Sequence, residues 1–278
     1  MKTKIIVDST ADIPQPLLHR FEVVPLTVHF GEQEYIDGVT IDHRAFYEKL
    51  VESDVLPSTS QATPGAFQEV FEKLEGEAVV LTLAAELSGT YQSAVIAAEG
   101  YADRVFVVDS RTAAIGTGIL AQLALQLADS GMDPRTIADR LTQEREKIRV
   151  VALLDTLEYL KRGGRISKTV ALAGSLLSIK PVVAIREGKI EMLGKARGSR
   201  QGNNLLVQEI EKAGGVDFDK PLLLGYTGLS DALLQKYIDD SRSMWEQGRK
   251  APETTIIGSV IGTHAGPGAV AVAFFSKN

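Results

Sequence analysis

A chain of 278 residues with 44% hydrophobic and 24% charged residues allows one large domain or two ordinary ones, and excludes disorder of the whole chain. Its 30 Lys and Arg against 36 Asp and Glu leave a net charge of −6, which argues against general nucleic-acid binding, a task that leans on a basic surface. The absence of cysteine excludes disulfides, thiolate metal sites and a cysteine nucleophile, and suits a reducing compartment.

The opening run Ile5-Ile6-Val7 is too short for a signal peptide and stops at Asp8. No stretch approaches the ~18 uninterrupted apolar residues of a membrane span. The longest apolar pieces, near residues 170–179 and 268–275, contain small residues and suit core elements. The chain reads as a soluble cytoplasmic protein without stable membrane insertion.

The first half repeats one rhythm: a short apolar run, turn residues, then a helical pattern. Residues 4–7, 78–83 and 104–108 are β-branched-rich runs that end in polar or glycine residues and predict buried strands. Helices are predicted near 14–20, 90–99 and 115–129. Two more, near 64–73 and 134–147, start at Thr63-Pro64 and Asp133-Pro134, each an N-cap followed by proline where no N–H is missed. Alternating strands and helices imply a parallel α/β sheet. Residues 22–29 and 34–36, flanking Phe30-Gly31-Glu32-Gln33, predict a hairpin inserted on that core near 22–38.

Past residue 149 the pattern becomes α+β. Strands are expected at 149–154, 221–226, 254–261 and 269–275, with a hairpin of 181–186 and 189–195 about Glu187-Gly188. Helices are expected at 156–161, at 199–212, and from a Ser230 cap to Met244. The reading is an N-terminal α/β domain over 1–149 and a C-terminal α+β domain over 150–278, packed closely because no long linker separates them.

Familiar catalytic patterns are missing. The histidines His19, His29, His43 and His264 have no metal-ligand spacing, and neither a Walker A pattern nor a GxSxG elbow occurs. Gly116-Thr117-Gly118-Ile119-Leu120-Ala121 matches GxGxxA loosely but lies past the strand–helix turn, and fits helix-start packing better than a dinucleotide. Hydroxyls at turns are abundant instead. Ser58-Thr59-Ser60-Gln61 precedes one helix start and Ser88-Gly89-Thr90 opens another. Such turns cap helices, and two facing each other would also hold a carboxylate or phosphate on free N–H groups. His264, in Gly262-Thr263-His264-Ala265-Gly266-Pro267-Gly268, reads as part of a glycine-rich connection between two strands, either close to a ligand or a surface turn residue. Asp8 is either an acid at the carboxyl end of the first strand or a structural hydrogen-bond acceptor. The clusters Lys161-Arg162-Gly163-Gly164-Arg165 and Lys195-Ala196-Arg197-Gly198-Ser199-Arg200 are local basic exceptions, solvated surface or a meeting place for phosphate or an acidic partner.

Six segments in order resemble the DegV family of bacterial fatty-acid-binding proteins. They are Val7-Asp8-Ser9-Thr10-Ala11-Asp12, Ser58-Thr59-Ser60-Gln61, Leu87-Ser88-Gly89-Thr90-Tyr91-Gln92-Ser93-Ala94, Leu160-Lys161-Arg162-Gly163-Gly164-Arg165-Ile166, Ile179-Lys180-Pro181 and Thr263-His264-Ala265-Gly266-Pro267-Gly268-Ala269. The resemblance implies a two-domain α/β fold with a long-chain fatty acid between the domains. It implies a carboxylate held by Thr59, Ser60, Ser88, Gly89 and Thr90 with His264 nearby, and neither metal nor cofactor. Some members look like the carrier half of a fatty acid kinase, which presents the acid to a separate ATP-dependent subunit. On that pattern Arg165, Arg197 and Arg200 are the candidate kinase contacts. Ala62 stands where the family often has proline. The rival readings are a small-molecule acyl or phosphoryl transferase using Asp8 and His264 as acid and base, and a lipid-dependent regulatory protein.

Overall fold

The structure, a computed structural model, describes residues 3–167, 179–248 and 250–277. Most of the apolar stretch at 170–179 therefore lies outside the described residues.

The chain begins with β1 (Lys4–Asp8), α1 (Gln15–Leu18) and β2 (Glu22–Val24), continues through β3 (Thr27–Phe30), β4 (Gln33–Ile36), α2 (His43–Glu52), β5 (Ser58–Ser60) and α3 (Pro64–Glu72), and then alternates β6 (Ala78–Thr82), α4 (Thr90–Ala98), β7 (Val105–Asp109), α5 (Ile115–Asp129) and α6 (Pro134–Glu144). Strands β2-β1-β6-β7 form an all-parallel sheet in that order. All five residues of β6 are buried, as a strand covered on both faces requires. Thr63 and Asp133 cap α3 and α6 as their sequence positions suggest, accepting from Ala66 N at 3.2 Å and Thr136 N at 3.0 Å.

The inserted sheet has the order β4-β3-β5, antiparallel throughout. The hairpin expected there differs in one respect: residues 22–29 are two strands. Pro25, which has no N–H to give a ladder, separates them. Residues before it pair with β1, and residues after it form the hairpin.

The second part of the chain comprises β8 (Ile148–Leu153), α7 (Glu158–Arg162), β9 (Ile179–Arg186), β10 (Lys189–Arg197), α8 (Gly198–Lys212), β11 (Leu223–Tyr226), α9 (Ala232–Asp240), α10 (Arg242–Trp245), β12 (Glu253–Ile256), α11 (Ser259–Ala265) and β13 (Val270–Phe275). Its sheet runs β10-β9-β8-β13-β11-β12, antiparallel except for the β11–β12 pair.

Two expectations for this half fail for identifiable reasons. The single helix expected up to Met244 is two, α9 and α10. Ser241 Oγ bonds back to Tyr237 O at 2.5 Å and accepts Trp245 Nε1 at 2.8 Å, so the chain turns to bury Trp245. The strand expected over 254–261 ends at Ile256, and residues 259–265 are helical. The N–H of Gly258 donates to Asp12 Oδ1 at 2.7 Å and Ser259 Oγ donates to Asp37, so long-range contacts override the β-branched pattern.

Helix α5 lies between the parallel sheet and the six-stranded sheet and packs on strands of both. Ten of its 15 residues are buried, and seven of these, from Ile115 to Ala128, join one apolar cluster with Val79 and Leu81 of β6 and Val150, Ala271 and Ala273 of the larger sheet. Its glycines are there for contact: a Cβ on Gly118 would lie 2.5 Å from the Ala11 carbonyl oxygen, and one on Gly116 would lie 2.5 Å from Val150 Cγ2. The loose GxGxxA is therefore packing. A second core fills the other face of the parallel sheet, under α2, α3 and α4. A third lies under α8 to α10, around Tyr237 and Trp245.

Candidate functional site

A cavity of about 370 Å³ lies between the two larger sheets. Its walls are mostly aliphatic. Leu83, Ala113 and Ala114 come from loops after the parallel strands, Val150, Ala152 and Leu154 from β8 and its end, Val183 and Ile185 from β9, and Val260 and Ile261 from α11. Alanines on facing walls leave the space that larger side chains would fill.

Polar groups gather where β5, the α4 N-terminus and α11 converge. Strand β5 pairs with β3, with Thr59 opposite Val28, and this register places Thr59 against α11. Thr59 Oγ1 is 2.9 Å from His264 Nε2. The α4 N-terminus has Gly89 as its cap residue with no side chain capping it, and Ser88 Oγ lies 2.9 Å from Thr90 Oγ1. Arg165 donates to Leu87 O at 3.2 Å and to Gly163 O at 2.5 Å, and its side chain is part of the wall.

Thr59, Ser60, Ser88, Gly89 and His264 thus line one cavity, although His264 comes from 170 or more residues later in the chain than any of the others. Thr90 is fully buried behind them and reaches the site only through Ser88. Ser60 Oγ is shared with His29 Nε2 at 2.8 Å. His264 does lie in the connection between two strands, β12 and β13, but that connection is helical and places it in the last turn of α11. Gln61 was not singled out by the sequence. It lies close over Gly89, where a Cβ would come within 2.8 Å of its Cδ, and donates to Ser93 Oγ at 2.9 Å. Its place directly after Thr59-Ser60 was the available signal.

Burial, reinforced by the positive charge of Arg165, pushes the His264 imidazole down to about 4. It is neutral at neutral pH. Its Nδ1 is buried without a hydrogen-bond partner among the described residues. In the tautomer whose Nε2–H donates to Thr59, the threonine's own proton is free for an acceptor in the cavity.

Asp8 lies outside this lining. Fully buried, it accepts from Thr10 N at 2.9 Å, Thr10 Oγ1 at 2.5 Å and Leu83 N at 2.7 Å, tying the end of β1 to the segment after β6. Burial, partly offset by these bonds, pushes its carboxyl up to about 6. The basic clusters divide. Arg165 faces the cavity, Lys161 and Arg162 pair with Glu158 on the surface, and Arg197 and Arg200 are exposed at the start of α8. Among the described residues, no group of three or more His, Cys, Asp or Glu side chains could hold a metal ion, and no helix is long and apolar enough to cross a membrane.

A family model described as "Uncharacterised protein, DegV family" matches residues 2–277. The chain belongs to the DegV family. DegV domain-containing proteins of Caldanaerobacter subterraneus and Clostridium perfringens are 34% and 33% identical to it, over 99% and 98% of this chain and 99% and 97% of theirs. Among solved structures, a DegV protein of Thermus thermophilus described as binding fatty acid superposes with a TM-score of 0.87 at 29% identity, covering 99% of this chain and all (100%) of that one. A DegV protein of Eubacterium eligens loaded with heptadecanoic acid gives 0.85 at 25% identity over 99% and 100% of the two chains. The fatty acid kinase B3 protein of Streptococcus pneumoniae, loaded with linoleic acid, shares the fold at a TM-score of 0.86, 24% identity and 99% coverage of each chain.

Proposed function

We propose that this DegV protein is a non-catalytic carrier that buries a long-chain fatty acid in the cavity between its sheets and presents the carboxylate to a separate fatty acid kinase. The observation that carries the reading is the division of one cavity into an aliphatic body and a polar end formed by Thr59, Ser88, Gly89 and His264. Its 370 Å³ falls within the ~300–1,000 Å³ of small-molecule sites. Burying about 14 methylenes of a sixteen-carbon acid at ~0.8 kcal/mol each gives roughly 11 kcal/mol gross, reduced by ordering costs. The tail supplies affinity and the polar end supplies orientation. The Thr59 hydroxyl and, at the start of α4, the Ser88 hydroxyl, which also accepts from Thr90 N at 3.3 Å, are suited to a carboxylate. Neutral His264 acts through Thr59, as an orienting group.

A transferase using Asp8 with His264 would need both groups at the ligand, and Asp8 is outside the cavity with its oxygens committed to Thr10 and Leu83. The carrier reading assigns phosphoryl transfer to the partner, with Arg197 and Arg200 as docking contacts and Arg165 at the carboxylate end. It keeps the boundary between the two units near residue 149.

Native mass spectrometry of the purified chain tests the reading, with Ala152→Phe as the matched variant. One co-purified long-chain acid per chain is expected, and the phenylalanine should fill the cavity and cut occupancy while the protein stays folded. Apoprotein alone, with no uptake of hexadecanoic acid supplied in excess, would refute it.

A further inference from the structure

A second cleft, of about 490 Å³, shares Ile185 with the apolar cavity but has a different character. It is lined by Arg111 from the loop after β7, Arg145 and Arg149 around the start of β8, Arg186 at the end of β9 and Lys212 at the end of α8. Five cationic side chains thus converge with two lining carboxylates, Glu146 and Glu187, in a chain whose acids outnumber its bases.

The carboxylates do not satisfy the arginines. Glu146 is shared, 2.9 Å from Arg111 Nη1 and 3.4 Å from Arg145 Nε. Arg145 Nη1 is spent on Asp109 O at 2.6 Å. Arg186 has one long pair, at 3.6 Å to Glu191, and Lys212 pairs with Glu209 of its own helix at 2.6 Å. Arg149 donates only to the carbonyls of Glu146 and Ile148, at 2.7 and 2.9 Å, and has no carboxylate at ion-pair distance among the described residues. Burial above all, and after it the charge of neighbouring Arg186, lower its proton affinity against the opposing charge of Glu146. Arg111 is held at φ +52°, an unusual conformation for a residue with a side chain, by its N–H bond to Asp109 Oδ1 at 2.9 Å.

We propose that this cleft is a second ligand site, for a phosphate-bearing anion, with Arg149 and Arg186 as its central contacts and Arg111 and Arg145 at its rim. Guanidinium forks match phosphate oxygens in pairs, and an anion between Arg149 and Arg186 converts their repulsion into two attractions. The phosphate belongs either to a small soluble molecule or to a lipid headgroup. A recessed cleft between two sheets suits the former better than a flat bilayer.

The test is calorimetric titration of the full chain with inorganic phosphate and with pyrophosphate at low ionic strength, beside co-sedimentation with phosphatidylglycerol and phosphatidylcholine vesicles. Saturable binding of one pyrophosphate per chain is expected. Arg149→Gln and Arg186→Gln should each weaken it by at least about tenfold, the worth of one charge-assisted hydrogen bond. Arg149→Lys should recover little, and Lys73→Gln, an exposed cation elsewhere, should change nothing, with thermal midpoints confirming that each variant folds. Association with phosphatidylglycerol vesicles alone, lost in the same two variants, keeps the phosphate chemistry and makes the source a headgroup. Absence of both kinds of binding overturns the proposal, as does full binding by the Arg149→Gln/Arg186→Gln double variant or by Arg149→Lys.

Discussion

Gly163→Ala is the most economical way to ask whether the placement of His264 matters. Gly163 caps the C-terminus of α7 at φ −69°, ψ −10°, where alanine meets no backbone strain. A glycine-to-alanine change in such a conformation ordinarily stabilises by about 0.4–1 kcal/mol, through the unfolded chain. Here the new methyl carbon would press on His264 Nδ1 and lie 2.8 Å from Cε1. Carbon pairs rest at ~3.5–4.0 Å, so the ring must withdraw by roughly 1 Å. That motion stretches the 2.9 Å contact with Thr59 beyond hydrogen-bonding range. The lost bond is worth about 0.5–1.5 kcal/mol and the crowding about 1–3 kcal/mol, so after the unfolded-chain gain the net effect is destabilisation by about 0.5–4 kcal/mol. Affinity for hexadecanoic acid should fall about tenfold, because the hydroxyl that orients the carboxylate has lost its support. Denaturant unfolding and calorimetric titration read both quantities. Gly100→Ala, with nothing within 4 Å of its Cβ, is the control. A Gly163→Ala protein as stable as that control and binding as the wild type does would refute the reasoning.

Two further outcomes are expected. Because the folded pKa of His264 is about 4 against 6.5 when free, its share of stability, about 3 kcal/mol, is full above pH 6.5 and lost as pH falls through that window; Asp8, pushed up to about 6 from 3.8, acts with opposite sign and gains stability on acidification. The unfolding free energy of the wild type relative to His264→Gln should therefore fall as pH drops from 7 to 4, and a difference that does not change with pH would remove His264 from the linkage. In an acyl-phosphate assay with a purified fatty acid kinase, Arg197→Ala or Arg200→Ala should lower turnover while leaving lipid affinity intact. Full turnover by both variants would take the start of α8 out of the docking surface.

The parallel sheet was legible because its strands are fully buried and its helices are marked by local caps. The run at 78–83 could only be a covered strand, and Thr63-Pro64 and Asp133-Pro134 announced α3 and α6. The hydroxyl turns were also legible, since Ser88-Gly89-Thr90 starts a helix whatever surrounds it. The sequence could not show where tertiary contacts overrule local preference. Ile256-Ile257-Gly258-Ser259-Val260 has the composition of a strand, and the turn at Gly258 is set by Asp12, 246 residues earlier. The basic cleft was hidden for a related reason. Arg111, Arg145, Arg149, Arg186 and Lys212 form no cluster in sequence, whereas the charges that do, at 161–165 and 195–200, are partly surface residues paired with their own neighbours.

Helix α11 shows why fold and site cannot be separated here. With seven residues it is far too short to hold its shape alone. Its start is fixed by the first part of the chain: Asp12 accepts from Gly258 N, Asp37 from Ser259 Oγ, and Tyr47 donates its hydroxyl to Ile257 O at 2.8 Å. Val260 packs into the core beneath the parallel sheet, while Val260 and Ile261 also border the cavity. The last turn then presents His264 to Thr59. Burial pushes the Asp12 carboxyl well up, and its Oδ2 has no hydrogen-bond partner among the described residues. Such a group is costly to bury, and here it fixes the turn that starts the helix. The same contacts that join the two sheets set the distance between the imidazole and the hydroxyls, so the polar end of the cavity exists only once both parts of the chain have folded together.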